Sequence, residues 1–287
     1  PDVKVTSVTI NNSAPVVSFT VRDGFGNPVV GLGNTSKTST ATVASLPNLA
    51  FSLAKLVPVN NGSPSKWVSY IVTTVPTTTA AAAPTRPSTD NNGTLVDNGD
   101  GSYKYTFYRD VTKIKDVVDA MTVSAPNNKA DLGDLTYNAS LTHRLTIQLS
   151  GNAPGTGSNT PNGATLVAAV PMKKPVDVIY DFIPATGKEA TTADASRTIV
   201  ANAKCEECHR KLGGIPGATA DAAPAGFHGG SRNNVAYCTV CHTDQRKYGR
   251  AEAKSTTNGA VRTFTEATYV VNGRTIGNLP NFVHKIH

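Results

Sequence analysis

The sequence predicts a β-rich chain with an irregular C-terminal third: a β-sandwich or Greek-key barrel over residues 1–187, then a domain with little regular secondary structure and short helices over 188–287. Three observations predict it. Several short runs with period-2 alternation, rich in β-branched and aromatic residues, fill the first part. Turn clusters of Gly, Asn, Asp and Pro separate them. After about Thr186 the alternation fades, Gly and Ala increase, and all four cysteines fall within a short stretch.

The strand readings, in order, are Val3–Ile10, Val16–Arg22, Trp67–Val72, Ser102–Tyr108 and Leu141–Leu149. Asp23-Gly24-Phe25-Gly26-Asn27-Pro28 and Asp97-Asn98-Gly99-Asp100-Gly101 are the turns. The carboxylates of Asp97 and Asp100 are spaced closely enough to suggest calcium. The run lacks a full ligand loop, however, so a hairpin turn is the expectation. Thr73–Gly93 and Ser150–Gly163 are of low complexity and read as long exposed loops. A helix is expected from Ser196 through Val200 into the first cysteine pair. His143, inside an alternating run, reads as a strand residue facing solvent or holding a hydrogen bond, not as a ligand.

The chemistry lies in two pentapeptides, Cys205-Glu206-Glu207-Cys208-His209 and Cys238-Thr239-Val240-Cys241-His242. Each is C-x-x-C-H, the attachment signature of haem c. Two thiols three residues apart share one side of a helical turn, where both can form thioethers with one porphyrin. The adjoining imidazole then reaches the iron. A four-cysteine zinc ribbon gives no reason for His after both pairs, and its spacing is usually shorter. A thioredoxin-like dithiol needs one motif in a βαβ context, which is absent. Cys205, Cys208, Cys238 and Cys241 are therefore read as anchors of two haems, with His209 and His242 as proximal ligands.

Four other histidines remain: His143, His228, His284 and His287. An electron-transfer haem takes a second axial ligand, His or Met. Met121 and Met172, the only methionines, lie upstream in the strand-rich part, so His228, His284 and His287 are the distal candidates. On a helix, His284 and His287 would start about 5–6 Å apart on one face. Such a pair cannot clamp one iron from both sides, so the two would serve different haems. Three distal candidates for two attachment motifs imply a further haem, and the haem domain is read as continuing beyond His287. Which distal histidine serves which haem stays open.

Charge divides unevenly. Residues 197–287 hold 12 Lys/Arg against 6 Asp/Glu, and residues 1–196 hold 15 against 14, so most of the net +7 lies with the haem motifs. Haem propionates can offset that excess, and no nucleic-acid motif accompanies it. No apolar run approaches the roughly 20 residues of a membrane-spanning helix. Haem c is attached outside the cytoplasm, so a chain starting at Pro1 reads as a mature or trimmed form.

With these motifs assembled, the chain resembles the OmcA/MtrC family of outer-membrane multihaem c-type cytochromes. Val21–Val29, Asp100–Tyr105 and His143–Ile147 resemble segments of the family's β-domain. Cys205–His209, His228-Gly229-Gly230, Tyr237–His242 and Asn281–His287 resemble the start of its first haem domain. The resemblance implies a split β-barrel of Greek-key type followed by a domain of five closely spaced bis-histidine haems, with two such pairs in a decahaem protein. It implies the outer-membrane surface and respiratory electron transfer to metal oxides, flavins or humic substances. Neighbouring haems, other cytochromes and a porin–cytochrome complex are the implied partners; a homo-oligomer or filament is a further option. The competing readings are a nitrite- or sulfite-type reductase with a five-coordinate haem, and a structural subunit of an extracellular cytochrome assembly. The surplus of distal histidines favours an electron carrier over an enzyme with a substrate pocket.

Overall fold

The computed structural model describes residues 1–72, 87–122, 132–164, 166–209, 212 and 227–243, with 255–258, 261–264, 270–271, 274–275, 278–280 and 283 nearer the C-terminus. Two antiparallel sheets form the N-terminal part. The first runs in the order β1-β2-β6-β5, from Asp2–Thr9 (β1), Val16–Arg22 (β2), Thr94–Asp97 (β5) and Ser102–Thr106 (β6). The second runs β4-β3-β7-β8-β9, from Leu49–Val57 (β3), Lys66–Ser69 (β4), His143–Leu149 (β7), Val176–Ile183 (β8) and Lys188–Glu189 (β9). The last strand falls directly after residue 187, where the two parts of the chain were divided. A short helix, Ile114–Ala120 (α1), tucks Ile114 and Val118 into the core.

The sheets pack as a sandwich because each offers an apolar face at alternate positions. In β2, Val17, Phe19 and Val21 are buried between more exposed neighbours. They share one cluster with Tyr103 and Tyr105 of β6 and with Phe51, Leu53, Leu145 and Ile147 of the second sheet. Phe51 spans the gap between sheets: its ring stacks on Tyr105 at 3.8 Å and meets the edge of Phe19 at 5.8 Å. The sandwich reading holds, and no closed barrel forms among the described strands.

Four local readings need correction or addition. The strands β3, β5, β8 and β9 were not anticipated. In β3 the pattern is hidden because both faces are covered: Phe51 and Leu53 face the first sheet, while Ala54 and Leu56 pack with Trp67 and Val240. His143 does not face solvent. It is fully buried, with Nδ1 2.7 Å from the Leu141 carbonyl and Nε2 3.2 Å from the Tyr70 hydroxyl. Ser196–Val200 is not helical; the helix begins at Asn202 (α2, Asn202–His209). Ser150–Gly163 is not a loose loop. Asn159 and Thr160 are buried, and Asn48 Nδ2 donates to the carbonyls of Ser150 and Asn152 at 2.6 Å each. Residues 73–86 of the other low-complexity stretch lie outside the described residues.

The Asp97–Gly101 turn is a hairpin between β5 and β6, as expected. Asp97 Oδ1 accepts the Gly99 amide at 2.9 Å, Oδ2 accepts the Gly31 amide at 2.6 Å, and Asp100 Oδ1 accepts the Ser102 amide at 2.8 Å. The carboxylates are spent on backbone donors. Gly101 sits at φ +83°, and a Cβ there would lie 2.8 Å from Pro28 Cβ, so the turn requires glycine.

Candidate haem attachment site

The second C-x-x-C-H lies on a short helix, Val235–Cys241 (α3), laid across the outer face of the second sheet. The helix starts where it does because Asn234 caps it, its side chain accepting the Ala236 amide at 2.9 Å. Asp177 of β8 accepts the amides of Asn233 and Asn234 at 2.6 and 3.2 Å, which fixes the approach to the cap. Underneath, Val240 is fully buried against Ala54, Leu56 and Trp67.

Arg144 of β7 braces the same helix. It pairs with both carboxylate oxygens of Asp181 at 2.8 and 2.7 Å and lies 4.3 Å from the Trp67 ring centroid. Its remaining nitrogen reaches the Ala236 carbonyl and the Thr239 hydroxyl, each at 3.4 Å. The pair is neutral overall and planar, so it supports α3 without leaving a net charge beneath it.

The helix carrying the first C-x-x-C-H, α2, is tied to α3 by one side chain. Asn202 accepts the Val235 amide at 3.1 Å through Oδ1 and donates to Glu206 at 2.8 Å through Nδ2. The first turns of the two helices are therefore joined directly. Asn202, Asn234, Asp177 and Arg144 escaped the sequence reading. The two asparagines had a signal, since Asn shortly before a helical motif is a start signal. Asp177 and Arg144 had none, because their role depends on strands distant in sequence.

The structure brings two predicted ligands together. His228 sits in a 3-10 turn, Phe227–Gly230, and its ring centroid is 6.2 Å from that of His242, which caps α3. Two imidazoles bound on opposite sides of one metal, each about 2 Å from it, hold their centroids roughly 6 Å apart. His228 also has φ +52°, a left-handed torsion uncommon for a non-glycine residue, and the Ser231 hydroxyl donates to its carbonyl at 2.6 Å. His209 closes α2, whereas His284 and His287 lie outside the described residues. Leu279, shortly before them, donates its amide to the His242 carbonyl at 3.1 Å.

Cys238 and Cys241 are at i and i+3 on α3, as thioether attachment to one porphyrin requires. Cys238 directs its thiol to the Asn234 carbonyl at 3.3 Å; Cys241, 8% exposed, directs its thiol to the Ser88 carbonyl at 3.7 Å. These are weak sulfur contacts that a carbon–sulfur bond can replace. Burial pushes the Cys238 thiol up to about 12 and raises those of Cys205 and Cys241. A redox dithiol needs a lowered thiol pKa, so that reading loses ground. The residues fit haem c.

Two C-x-x-C-H motifs on linked helices, beside a β-sandwich, are an arrangement able to hold haem c. Residues 197–287 match the family model for domains II/IV of the outer membrane cytochromes MtrC/MtrF-like. The chain is 29% identical over 237 residues to the multihaem cytochrome MtrC of Shewanella baltica (strain OS185), covering 82% of this chain and 26% of that protein. The crystal structure of MtrC from S. baltica OS185 superposes with a TM-score of 0.50 at 26% identity, over 85% of this chain and 29% of that one. The crystal structure of the outer membrane decahaem cytochrome OmcA gives 0.48 at 24% identity, over 85% and 29%. Residues 197–287 are thus similar to MtrC/MtrF-like domains II/IV, and the chain as a whole is similar to MtrC, in line with the resemblance read from the motifs. The chain spans about a quarter of the length of the curated relative it matches. Among the described residues no helix is long and apolar enough to cross a membrane.

Proposed function

We propose that the chain carries electrons through covalently attached haems at the outer-membrane surface, toward extracellular acceptors such as metal oxides, flavins or humic substances. Bound haem supplies a one-electron iron couple. Cys205 and Cys208 anchor one group and Cys238 and Cys241 the next, with His209 and His242 as proximal ligands. His228 is the distal partner of His242. His284 and His287 provide further distal imidazoles.

The observation that carries this reading is the 6.2 Å separation of the His228 and His242 rings. If His228 and His242 both held the iron, no position would remain for an oxyanion, which would favour a carrier over a reductase, and the potential would be lower than with His/Met ligation. The β-sandwich, through Arg144, Asp177 and the Ala54, Leu56 and Trp67 patch under Val240, holds the second C-x-x-C-H helix in place. Neighbouring haems, other cytochromes and a porin–cytochrome complex are the partners this role requires.

His228→Ala tests it. The variant should keep both porphyrins, seen as two added haem masses on the chain, while one haem turns high-spin and its spectrum shifts with added cyanide. The unaltered protein should be low-spin and unmoved by cyanide. A variant that stays fully low-spin would remove His228 from the ligand set.

A further inference from the structure

In the connection from β7 to β8 the sandwich leaves an apolar run uncovered. Leu166-Val167-Ala168-Ala169-Val170-Pro171 are exposed one after another, Leu166 at 87% and Val167 and Val170 at 53% each. Single exposed apolar side chains are ordinary, but an unbroken run of them is not. The backbone of the run is held from beneath. The Val167 carbonyl accepts the Gly157 amide at 3.0 Å, the Val170 carbonyl accepts the Ala153 amide at 2.8 Å, and the Met172 amide donates to the Gly151 carbonyl at 2.8 Å. The Val170 amide donates to the Thr156 hydroxyl at 3.2 Å. A Cβ at Gly157 would lie 2.8 Å from Ala169 Cβ, so the run sits directly on this base. Two exposed cations, Lys173 and Lys174, follow shortly after it.

We infer that this run is a membrane-contact loop, seating its apolar side chains in an anionic lipid surface while Lys173 and Lys174 meet the phosphate-bearing headgroups. Charge singles out the occupant. Between Asp134 and Asp177 the sequence has no Asp or Glu, so the run and its lysines form a segment of one sign. Asp97 reaches this end of the sandwich by accepting the Gly31 amide, and a Cβ at Gly31 would lie 3.2 Å from Pro154 Cβ; its other oxygen accepts the Gly99 amide. An anionic lipid surface engages the apolar side chains and the lysines together, each lysine near it strengthening attachment about fivefold. The backbone fits as well. Polar backbone groups that enter lipid need partners. Here the amides of Val170 and Met172 and the carbonyls of Val167 and Val170 are bonded from below, and Pro171 has no amide hydrogen. The run is far too short to cross a bilayer, so the contact lies in the headgroup region. It determines which end of the sandwich is turned to the lipid.

Cosedimentation of the haem-loaded chain with vesicles tests it, phosphatidylcholine alone being compared with phosphatidylcholine containing about one-third phosphatidylglycerol. The chain should bind the anionic vesicles about tenfold or more tightly than the neutral ones and leave them as salt is raised. Leu166→Asp with Val167→Asp should weaken that binding about tenfold. Lys173→Gln with Lys174→Gln should weaken it on the order of 25-fold and remove most of its salt dependence. Val59→Asp, at an exposed valine between β3 and β4, should leave it unchanged. Should the aspartates disturb the loop, the lysine variants decide alone. Equal binding to both vesicle types, binding to neither, or an equal loss in Val59→Asp would overturn the inference. So would a chain that sediments as a dimer and turns monomeric in Leu166→Asp, because the run would then seat a second copy. The haem reading is judged separately, by porphyrin mass and spin state, which these loop variants should leave as they are.

Discussion

His143 shows how burial rewrites a residue's chemistry. Enclosed by Tyr70, Tyr137 and Phe182, it has its pKa pushed down from 6.5 to about 4, chiefly by desolvation. The unfolded chain takes up this proton near pH 6.5 and the folded chain only near 4. The stability that neutral His143 provides is therefore complete above pH 6.5 and is lost as pH falls toward 4, by at most about 3 kcal/mol. Urea unfolding at pH 7 and pH 4.5 should show this loss in the native chain and a smaller one in His143→Gln. Equal losses would mean that other groups carry the acid sensitivity. The sequence placed His143 correctly on a strand, and of its two readings there the hydrogen-bonded one holds. It could not show that both sides of that strand are covered, since the covering residues, Tyr70 and Tyr137, come from outside β7.

At the scale of elements, α3 depends on what lies beneath it. Arg144 and Asp181 are largely buried, with side chains 8% and 25% exposed, so removing one leaves the other's charge poorly solvated. Arg144→Ala should cost about 3 kcal/mol in denaturant unfolding. Arg144→Ala combined with Asp181→Ala should recover part of that. If the double variant is no more stable than the single one, the pair is not the source. The attachment motifs were legible because their spacing is covalent chemistry written in four or five consecutive residues. The strand β3 was not, because a strand packed on both faces loses the alternation that marks it. The start of α2 was misplaced for a related reason: Ser196–Val200 resembles a helix in composition, yet its backbone serves other partners, Arg197 accepting from Trp67 Nε1 at 3.4 Å.

Among the described residues one large cluster forms the core, its members running from Val3 to Phe182. From α3, Val240 joins a small second cluster with Ala54, Leu56 and Trp67. A chain ending after Val200 should therefore fold cooperatively by itself, with red-shifted emission from Trp67 because α3 no longer covers it. Loss of cooperative unfolding in that shortened chain would show that the sandwich needs its haem-bearing neighbour. The composition changes near Thr186, while the sandwich itself extends to β9 at Lys188–Glu189. The seating of one part on the other was not legible, since Arg144, Asp177 and Gln148 look like ordinary outward strand positions until α3 is placed over them.

The amide of Asn202 has a consequence for how order spreads. Because it staples the opening turns of α2 and α3, whatever stiffens one of these helices also stiffens the start of the other, so the two C-x-x-C-H runs gain or lose order together.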